Sequence, residues 1–248
     1  MEQCSYFMMR FFILFSFLCF SITNAAGQNT STRYSSWNTF DVSKKINQNW
    51  SINTEFNLRR TQFLKDREQL VIRPFVHYKF ENDLDIAFGY SYIRNYKHDG
   101  ISLPLDIIEH NVFQQLTLTH RFSNFILDHR LRFEVRHIDN ITELFNGVYD
   151  VDGARIRNRF RYKFQVRIPL RIYSDNRVLS AVLYDEAFLN LETGLRPKKL
   201  DQNWMFVGLI FRVSKQVKVR SGYHDIYAKR EDLFINNRVW ETTRTYTF

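Results

Sequence analysis

Residues Arg155 to Ile168 read Arg-Ile-Arg-Asn-Arg-Phe-Arg-Tyr-Lys-Phe-Gln-Val-Arg-Ile, and this stretch decides the fold. Every second residue from Arg155 to Arg167 is basic apart from Gln165, and the residues between them are largely apolar apart from Asn158. An α-helix would spread both sets around its whole surface, whereas a strand places them on opposite faces. The pattern therefore predicts a β-strand with one basic and one apolar face.

A strand of this kind needs apolar surroundings on one side and water or counter-charges on the other, because an unpaired buried guanidinium is costly. A membrane-spanning barrel with a wet, charged interior supplies both environments. An ordinary half-buried strand would explain one such stretch taken alone. The same alternation recurs along most of the chain, however, and this favours the barrel.

The start of the chain has the features of an export signal. Arg10 precedes the apolar run Phe11–Ile22, and small residues suited to signal-peptidase cleavage follow that run. The run is too short to cross a hydrocarbon core, which takes about 20 residues. We therefore predict that residues 1–27 are removed as a signal peptide and that residues 28–248 form a single barrel domain.

The composition is compatible with a membrane barrel. Both cysteines, Cys4 and Cys19, lie in the predicted signal, so no disulfide framework is expected in the mature chain. The mean hydropathy of -0.38 is uninformative, because every second residue of a barrel faces the lumen or solvent. An aromatic content of 17% suits an apolar band with interfacial girdles. The net charge of +9 comes from basic residues that alternate along predicted strands, and the chain is predicted to be exported. For both reasons no nucleic-acid partner is expected.

Amphipathic alternation is recognisable in eleven segments of the chain. Long connections are expected at Tyr96–Ile107, Asp139–Gly153 and Leu191–Gln202, with short turns between them. Pro74 is expected to bulge its strand or to end it early. Bacterial single-chain barrels usually have an even strand number, so we predict an all-β fold with about 12 strands, or ten as the alternative. The predicted architecture is a single antiparallel transmembrane β-barrel.

The last residues form a separate signal. Phe248 is aromatic, and a second aromatic residue, Tyr246, precedes it by two positions. This pair resembles the signal that the outer-membrane assembly machinery recognises. We therefore expect the outer membrane of a Gram-negative bacterium as the location, with its lipid and that machinery as partners.

Short motifs on successive predicted strands resemble those of a known family. They are Trp50 with Glu55 and Arg59, Gly89-Tyr90-Ser91-Tyr92, Glu109 with Gln114-Gln115, Arg130-x-Arg132-x-Glu134-x-Arg136, Arg157-x-Arg159-x-Arg161, Tyr184-Asp185-Glu186-x-Phe188-x-Asn190, and Asn203 followed by Gly208 and Gly222-Tyr223. In these motifs the chain resembles the bacterial family called domain of unknown function 2490. The resemblance implies an outer-membrane-type β-barrel and implies no particular activity.

No motif of the chain points to catalysis or to a cofactor. The seven histidines are scattered without metal-ligand spacing on one face. A Gly-rich phosphate loop and a Gly-x-Ser-x-Gly elbow are both absent from the sequence. We therefore predict that the protein is not an enzyme and that it uses no cofactor and no metal.

The charged constellation is the sharpest functional feature of the sequence. The charged residues expected to line the lumen are Glu55, Arg59, Arg73, Glu109, Arg130, Arg132, Glu134, Arg136, Arg155, Arg157, Arg159, Arg161 and Lys163. Like charges on neighbouring strands repel unless acids or anions intervene. The acids expected in the same lumen, which include Asp128, are too few to neutralise every base.

Three functional hypotheses remain open at this point. In the first, an Arg/Glu network plugs the lumen, and the protein is a structural or surface-interaction barrel whose long loops make contacts. In the second, surplus arginine lines an anion-preferring pore for small or acidic solutes. In the third, the chain is a soluble periplasmic β-barrel that encloses an apolar ligand.

Overall fold

The chain folds into one closed sheet. The computed structural model describes residues 30–97, 104–173, 175, 177–191, 197–230 and 233–248, and the predicted signal peptide lies outside them. The strands of the described residues are β1 Thr30–Lys45, β2 Trp50–Thr61, β3 Asp66–Lys79, β4 Leu84–Asn95, β5 Ile107–Arg121, β6 Ile126–Phe145, β7 Val148–Ile172, β8 Val178–Leu191, β9 Pro197–Arg212, β10 Val217–Arg230 and β11 Leu233–Thr247. Each strand pairs with its neighbours in sequence, and β1 also pairs with β11. The predicted all-β barrel is confirmed.

The number of strands determines how the barrel closes. The described residues form eleven strands, between the ten and the twelve that we predicted. Because this number is odd, β1 and β11 run in the same direction, and their parallel pairing extends from Thr30↔Phe234 to Ser43↔Thr247. A parallel ladder pairs backbone N–H and C=O groups as an antiparallel ladder does, so closure does not require an even number. The barrel is therefore antiparallel everywhere except at this one pairing.

The barrel has two dissimilar ends. At one of them, which we call the short-turn end, the connections are residues 46–49, 80–83, 122–125, 173–177 and 213–216. The opposite end, the loop end, carries the connection between β4 and β5, which lies where the sequence predicted the first long loop. The third predicted loop, Leu191–Gln202, is shorter than expected, because β9 begins at Pro197, and residues 192–196 lie outside the described ranges.

The second predicted loop, Asp139–Gly153, is instead a hairpin, so that prediction is wrong. β6 continues to Phe145, and Asn146 and Gly147 turn the chain with φ angles of 43° and 79°. Positive φ at both turn residues is what a two-residue hairpin of type I′ requires, and Asn-Gly favours it. Residues 139–157 pair only within this hairpin, because β5 pairs with β6 as far as Ile138 and β8 pairs with β7 from Asn158. They form an arm that projects from the loop end.

Pro74 neither ends nor bulges its strand, contrary to the prediction. Pro74 pairs with Thr54 of β2, and β3 continues to Lys79. Only the pairing with β4 is interrupted, between Ile72↔Tyr92 and Phe75↔Gly89, and its register does not shift. The proline ring removes one ladder hydrogen bond while its fixed φ remains compatible with an extended strand.

Large apolar side chains cover the outside of the barrel. Those that are more than a third exposed include Phe40, Trp50, Ile52, Phe56, Leu58, Ile86, Phe88, Val112, Leu116, Leu131, Val135, Phe164, Val207, Leu209 and Trp240. They occupy the alternate positions of their strands, as the period of two predicts. An apolar surface of this extent is unusual for a monomer that is surrounded by water.

Three glycines make room for aromatic rings inside the barrel. A Cβ atom at Gly208 or Gly222 would lie 2.7 Å from the ring of Phe206 and closer still to the backbone of the paired strand. A Cβ atom at Gly89 would lie 2.5 Å from the ring of Phe113. These glycines let bulky rings enter the interior without pushing the strands apart.

Candidate functional site

The most buried charges of the barrel surround one carboxylate. Glu134 is 1% exposed, and it is paired with Arg159 across the ladder between β6 and β7. Its Oε2 accepts a hydrogen bond from Nε of Arg159 at 2.7 Å, and its Oε1 accepts one from Nη1 of Arg161 at 2.8 Å. Nη1 of Arg132 lies 3.8 Å from the same Oε1. One carboxylate therefore faces three guanidinium groups.

Two further acids accept hydrogen bonds from arginines of β6 and β7. Oε1 of Glu186 accepts a hydrogen bond from Nη2 of Arg130 at 2.5 Å and another from Nε of Arg161 at 2.7 Å. Glu109 binds Arg136 through both oxygens, at 2.6 and 2.7 Å, which is the strong bidentate arrangement. Burial of so many charges is compatible with folding because each of these carboxylates has at least one guanidinium partner.

The charges of β2 and β3 form a second group. Arg73 donates from Nη1 to Oε2 of Glu55 at 2.9 Å and from Nε to Oγ of Ser91 at 2.8 Å. Arg59 donates from Nη1 to Oε1 of Gln69 at 2.6 Å and makes no ion pair with a described carboxylate. Arg59 is therefore held by a neutral partner.

Aromatic rings connect these charges across the interior. Cζ of Arg59 lies 3.8 Å from the centroid of the Trp37 ring, and the Trp37 and Trp204 centroids are 5.2 Å apart. Trp204 contacts Phe188 at 4.7 Å, and Cζ of Arg161 lies 4.2 Å from the Phe188 ring. We call this set, with its continuation on β3, β5 and β6, the lumen layer. It consists of Trp37, Arg59, Phe75, Phe113, Arg132, Glu134, Arg161, Phe188 and Trp204.

A cavity of about 500 Å³ lies next to the lumen layer. Its walls include Trp37, Arg59 and Trp204 of that layer, and they extend to Arg212 and Lys218 beside the turn between β9 and β10. The cavity therefore runs from the lumen layer toward the short-turn end.

A buried polar cluster at one wall of the cavity joins β8, β10 and β11. Glu241 accepts hydrogen bonds from Arg220 and from Thr243, and it also contacts Nε2 of His224. The Tyr184 hydroxyl lies 2.9 Å from the same Nε2. Glu241 is therefore a third shared carboxylate, after Glu134 and Glu186.

The sequence did not single out Glu186, Arg220, His224 or Glu241 as site residues. A usable signal existed for Glu241, because Trp240 and Thr242 define the outward set of β11 and leave Glu241 facing inward. For Glu186 no such signal exists, because both alternating sets of residues on β8 contain apolar and acidic side chains. Periodicity alone therefore does not tell which face of β8 points inward.

The structure brings most of the sequence-predicted charged residues together inside the barrel. The interior residues of that set are Glu55, Arg59, Arg73, Glu109, Arg130, Arg132, Glu134, Arg136, Arg159, Arg161 and Lys163. Arg155 and Arg157 do not join them, because both are exposed on the arm. They continue the alternation of basic and apolar residues along β7, but they precede Asn158, the first residue of β7 that pairs with β8. Tyr246 and Phe248 are exposed on the outside, with ring centroids 5.3 Å apart.

The chain belongs to the family described as "Protein of unknown function (DUF2490)", whose model matches residues 34–233. No curated protein has a matching sequence. Among solved structures, the chain is similar to the β domain of the Bordetella autotransporter BrkA. That similarity has a TM-score of 0.48 at 8% identity and covers 79% of this chain and 82% of the other.

Helical membrane spans and metal-binding clusters are both absent from the described residues. No helix in that part of the chain is long and apolar enough to cross a membrane. The same residues include no group of three or more His, Cys, Asp or Glu side chains that is arranged to bind a metal ion.

Replacing Glu134 should destabilise the barrel strongly. In Glu134→Gln the carboxylate charge that faces three guanidinium groups is lost, and breaking a buried ion pair costs about 3–5 kcal/mol. The free energy of unfolding, measured by urea titration of the refolded protein, should fall by that amount. Glu81→Gln is the matched control, because Glu81 lies exposed in a turn and its change should stay within about 0.5 kcal/mol. Equal stability of the two variants would contradict the central role of Glu134.

Proposed function

We propose that this protein is an outer-membrane β-barrel of a Gram-negative bacterium that serves as a structural or surface-interaction barrel. Residues 1–27 would direct export, and Tyr246 and Phe248 would be read by the outer-membrane assembly machinery. The observation that carries the proposal is the distribution of side chains, because charged residues fill the interior while large apolar residues cover the outside. Lipid is the surrounding in which this distribution is favourable.

The apolar exterior distinguishes this proposal from a soluble barrel. Full burial of one large apolar side chain contributes about 1.5–3 kcal/mol relative to its exposure to water. Phe56, Phe88 and Leu131 are among the many that would gain this contribution in lipid. A soluble barrel with an apolar ligand needs the opposite arrangement, with the apolar set inside and the charged set in water.

The burial of the lumen layer favours a plugged interior over an open one. Arg59, Phe75 and Trp204 are half-buried where they border the cavity, but Phe113, Glu134 and Phe188 are at most 1% exposed, and Trp37 and Arg132 are at most 5% exposed. A water-filled passage along these side chains would expose them. The interior of the barrel is therefore better suited to stiffening the wall than to conducting solutes.

The arm supports a role in surface contacts. It extends from the loop end, and its tip carries Leu144 and Phe145, which are 55% and 65% exposed. Ile156 near its base is 69% exposed. Apolar side chains on a projecting hairpin are available to a partner, whereas the paired strands of the barrel wall are not.

An anion-preferring pore is the second candidate, and the basic cavity favours it. The cavity offers a path for anions over part of the length of the barrel, and basic lumen walls select anions in known channels. The two candidates differ at the lumen layer, which a pore must leave open.

Planar-bilayer recordings separate the two candidates. The plugged barrel should show no steady conductance, because the lumen layer occludes the interior. The variant Trp37→Ala/Trp204→Ala should conduct and should favour anions, because it removes two rings of that layer beside the basic cavity. A steady anion-selective conductance of the unmodified protein would overturn the plugged interior and support the pore.

Lipid contact of the outer face is tested by a pair of leucine substitutions. Leu131 lies between Leu116 and Tyr162 on the barrel wall, whereas Leu144 lies on the arm. Leu131→Arg should lower the stability of the protein refolded in phospholipid vesicles by about 2–4 kcal/mol, the cost of arginine at the bilayer midplane. Leu144→Arg should have little effect.

The readout of this test is the urea dependence of the heat-modifiable gel band, which reports the folded barrel. Recovery of the unmodified protein in the soluble periplasm, with neither variant destabilised, would contradict the membrane location.

A further inference from the structure

We propose that the cavity between the lumen layer and the short-turn end is a binding site for a small organic anion that carries carboxylate or phosphate groups. The proposal concerns the cavity alone and is independent of whether the lumen conducts. It is carried by the charge of the cavity walls, by bases that form no ion pair, and by the size and shape of the space.

The walls of the cavity carry a surplus of positive charge. Among the described residues, nine bases and four acids line it, and Asp128 and Glu134 pair from outside the lining with Arg167 and Arg161, which leaves an excess of three positive charges. The bases are Arg59, Arg73, Arg130, Arg161, Lys163, Arg167, Arg212, Lys218 and Arg220, and the acids are Asp41, Glu55, Glu186 and Glu241. In a partly enclosed space of this kind the field of the bases adds up and attracts anions.

Three of the four acids already accept hydrogen bonds from bases of the barrel. Glu186 accepts from Arg130 and Arg161, and Glu55 accepts from Arg73. Glu241 is shared between Arg220 and His224. These carboxylates hold the guanidinium groups in place and have little capacity left for further bases.

The bases that form no ion pair lie at both ends of the cavity. Arg59, Lys163, Arg212 and Lys218 have no described carboxylate within 4.0 Å, although Glu186 is the cross-strand partner of Lys163. At the inner end, Nζ of Lys163 lies 4.7 Å from the centroid of the Tyr184 ring, and Cζ of Arg220 lies 5.9 Å from the same centroid. Two cations therefore converge on one ring at the inner end.

The mouth of the cavity is basic as well. Arg212 and Lys218 are paired across β9 and β10 and are both exposed beside the turn that joins these strands. A ligand that enters from the short-turn end would pass these two side chains before it reaches Lys163. The basic mouth raises the local concentration of anions, and the basic inner end retains them.

The volume and lining of the cavity indicate an organic anion. A volume of about 500 Å³ lies within the range of sites for small molecules. Trp37, Tyr184 and Trp204 offer ring surfaces, while Thr39 and Ser180 offer hydroxyl groups. Arginine and lysine supply the charge-assisted hydrogen bonds that carboxylate and phosphate oxygens accept. A ligand with a carbon framework and at least one acidic group matches both features.

Calorimetric titration of the full mature barrel in detergent tests the site. The probes are citrate, glucuronate and inorganic phosphate, with glucose as the neutral control. Glucuronate and glucose differ mainly in one carboxylate, so binding of the first alone isolates the acidic group. Comparison of phosphate with citrate tells whether phosphate or carboxylate chemistry is preferred.

Substitutions at each end of the cavity locate the binding. Lys163→Gln at the inner end and Lys218→Gln at the mouth should each raise the dissociation constant at least about tenfold. This is the loss of affinity expected when one charge-assisted hydrogen bond is removed. Lys65→Gln is the matched control, because Lys65 is exposed in the turn between β2 and β3, at the other end of the barrel. Heat-modifiable gel migration of each variant verifies that the barrel has folded, so that a loss of binding is not a loss of fold.

The site is supported if an acidic probe binds saturably, if Lys163→Gln and Lys218→Gln weaken this binding, and if Lys65→Gln leaves it unchanged. Binding that is equal in all variants, or that glucose matches, overturns it. The absence of binding for every acidic probe also overturns it. A folded barrel without anion binding would leave the proposed membrane role intact, whereas failure of the gel assay would count against that role separately.

Discussion

Pairing of β1 with β11 is the constraint on which the rest of the molecule depends. In a hydrocarbon environment each unpaired backbone group costs several kcal/mol, so a sheet with a free edge is not a viable wall. The parallel ladder from Thr30 to Ser43 on β1 removes both edges at once. Closure also separates the interior of the barrel from its exterior. Because side chains alternate between the two faces of a strand, every second side chain then points into the interior.

Confinement of the alternating charges explains the Arg/Glu network. Bases from β6 and β7 point into the same space, where their mutual repulsion has to be offset by acids from other strands. Glu134 and Glu186 each serve two arginines, and Glu241 serves Arg220 and His224 on the far wall. The arginines around Glu109, Glu134 and Glu186 have carboxylate partners, whereas Arg59, Lys163, Arg212 and Lys218 on the walls of the adjoining cavity form no ion pair with a described carboxylate. The Arg/Glu pairs and the basic cavity are thus two parts of one charge distribution.

Much of the fold follows from the sequence, because period two identifies a strand and its two faces. The arm was missed because weak alternation between Asp139 and Gly153 suggested a loop, although Asn146-Gly147 is a strong hairpin signal. Eleven segments are recognisable in the sequence, and the prediction of about twelve strands came from the even number that is usual in bacterial single-chain barrels.

The candidate site is less predictable than the fold, because alternation gives the face of a residue and not its height in the barrel. Arg155 and Arg157 share the inward phase of β7 with Arg159, yet they lie on the arm, where no lumen surrounds them. Pairing of Glu186 with Arg161 depends on the register between β7 and β8 and on their side-chain geometry. Register of this kind arises from the packing of the whole barrel and cannot be inferred from one strand.

The central claim is that lipid surrounds the apolar face of the barrel wall and that the charged face is enclosed. Quenching of tryptophan fluorescence by brominated lipid tests it most directly. The chain has four tryptophans, of which Trp50 and Trp240 are exposed on the outside while Trp37 and Trp204 lie inside. In vesicles with brominated acyl chains, the variant Trp37→Phe/Trp204→Phe should lose much of its fluorescence. The variant Trp50→Phe/Trp240→Phe should lose little. The reverse pattern, or no quenching of either variant, would contradict the account.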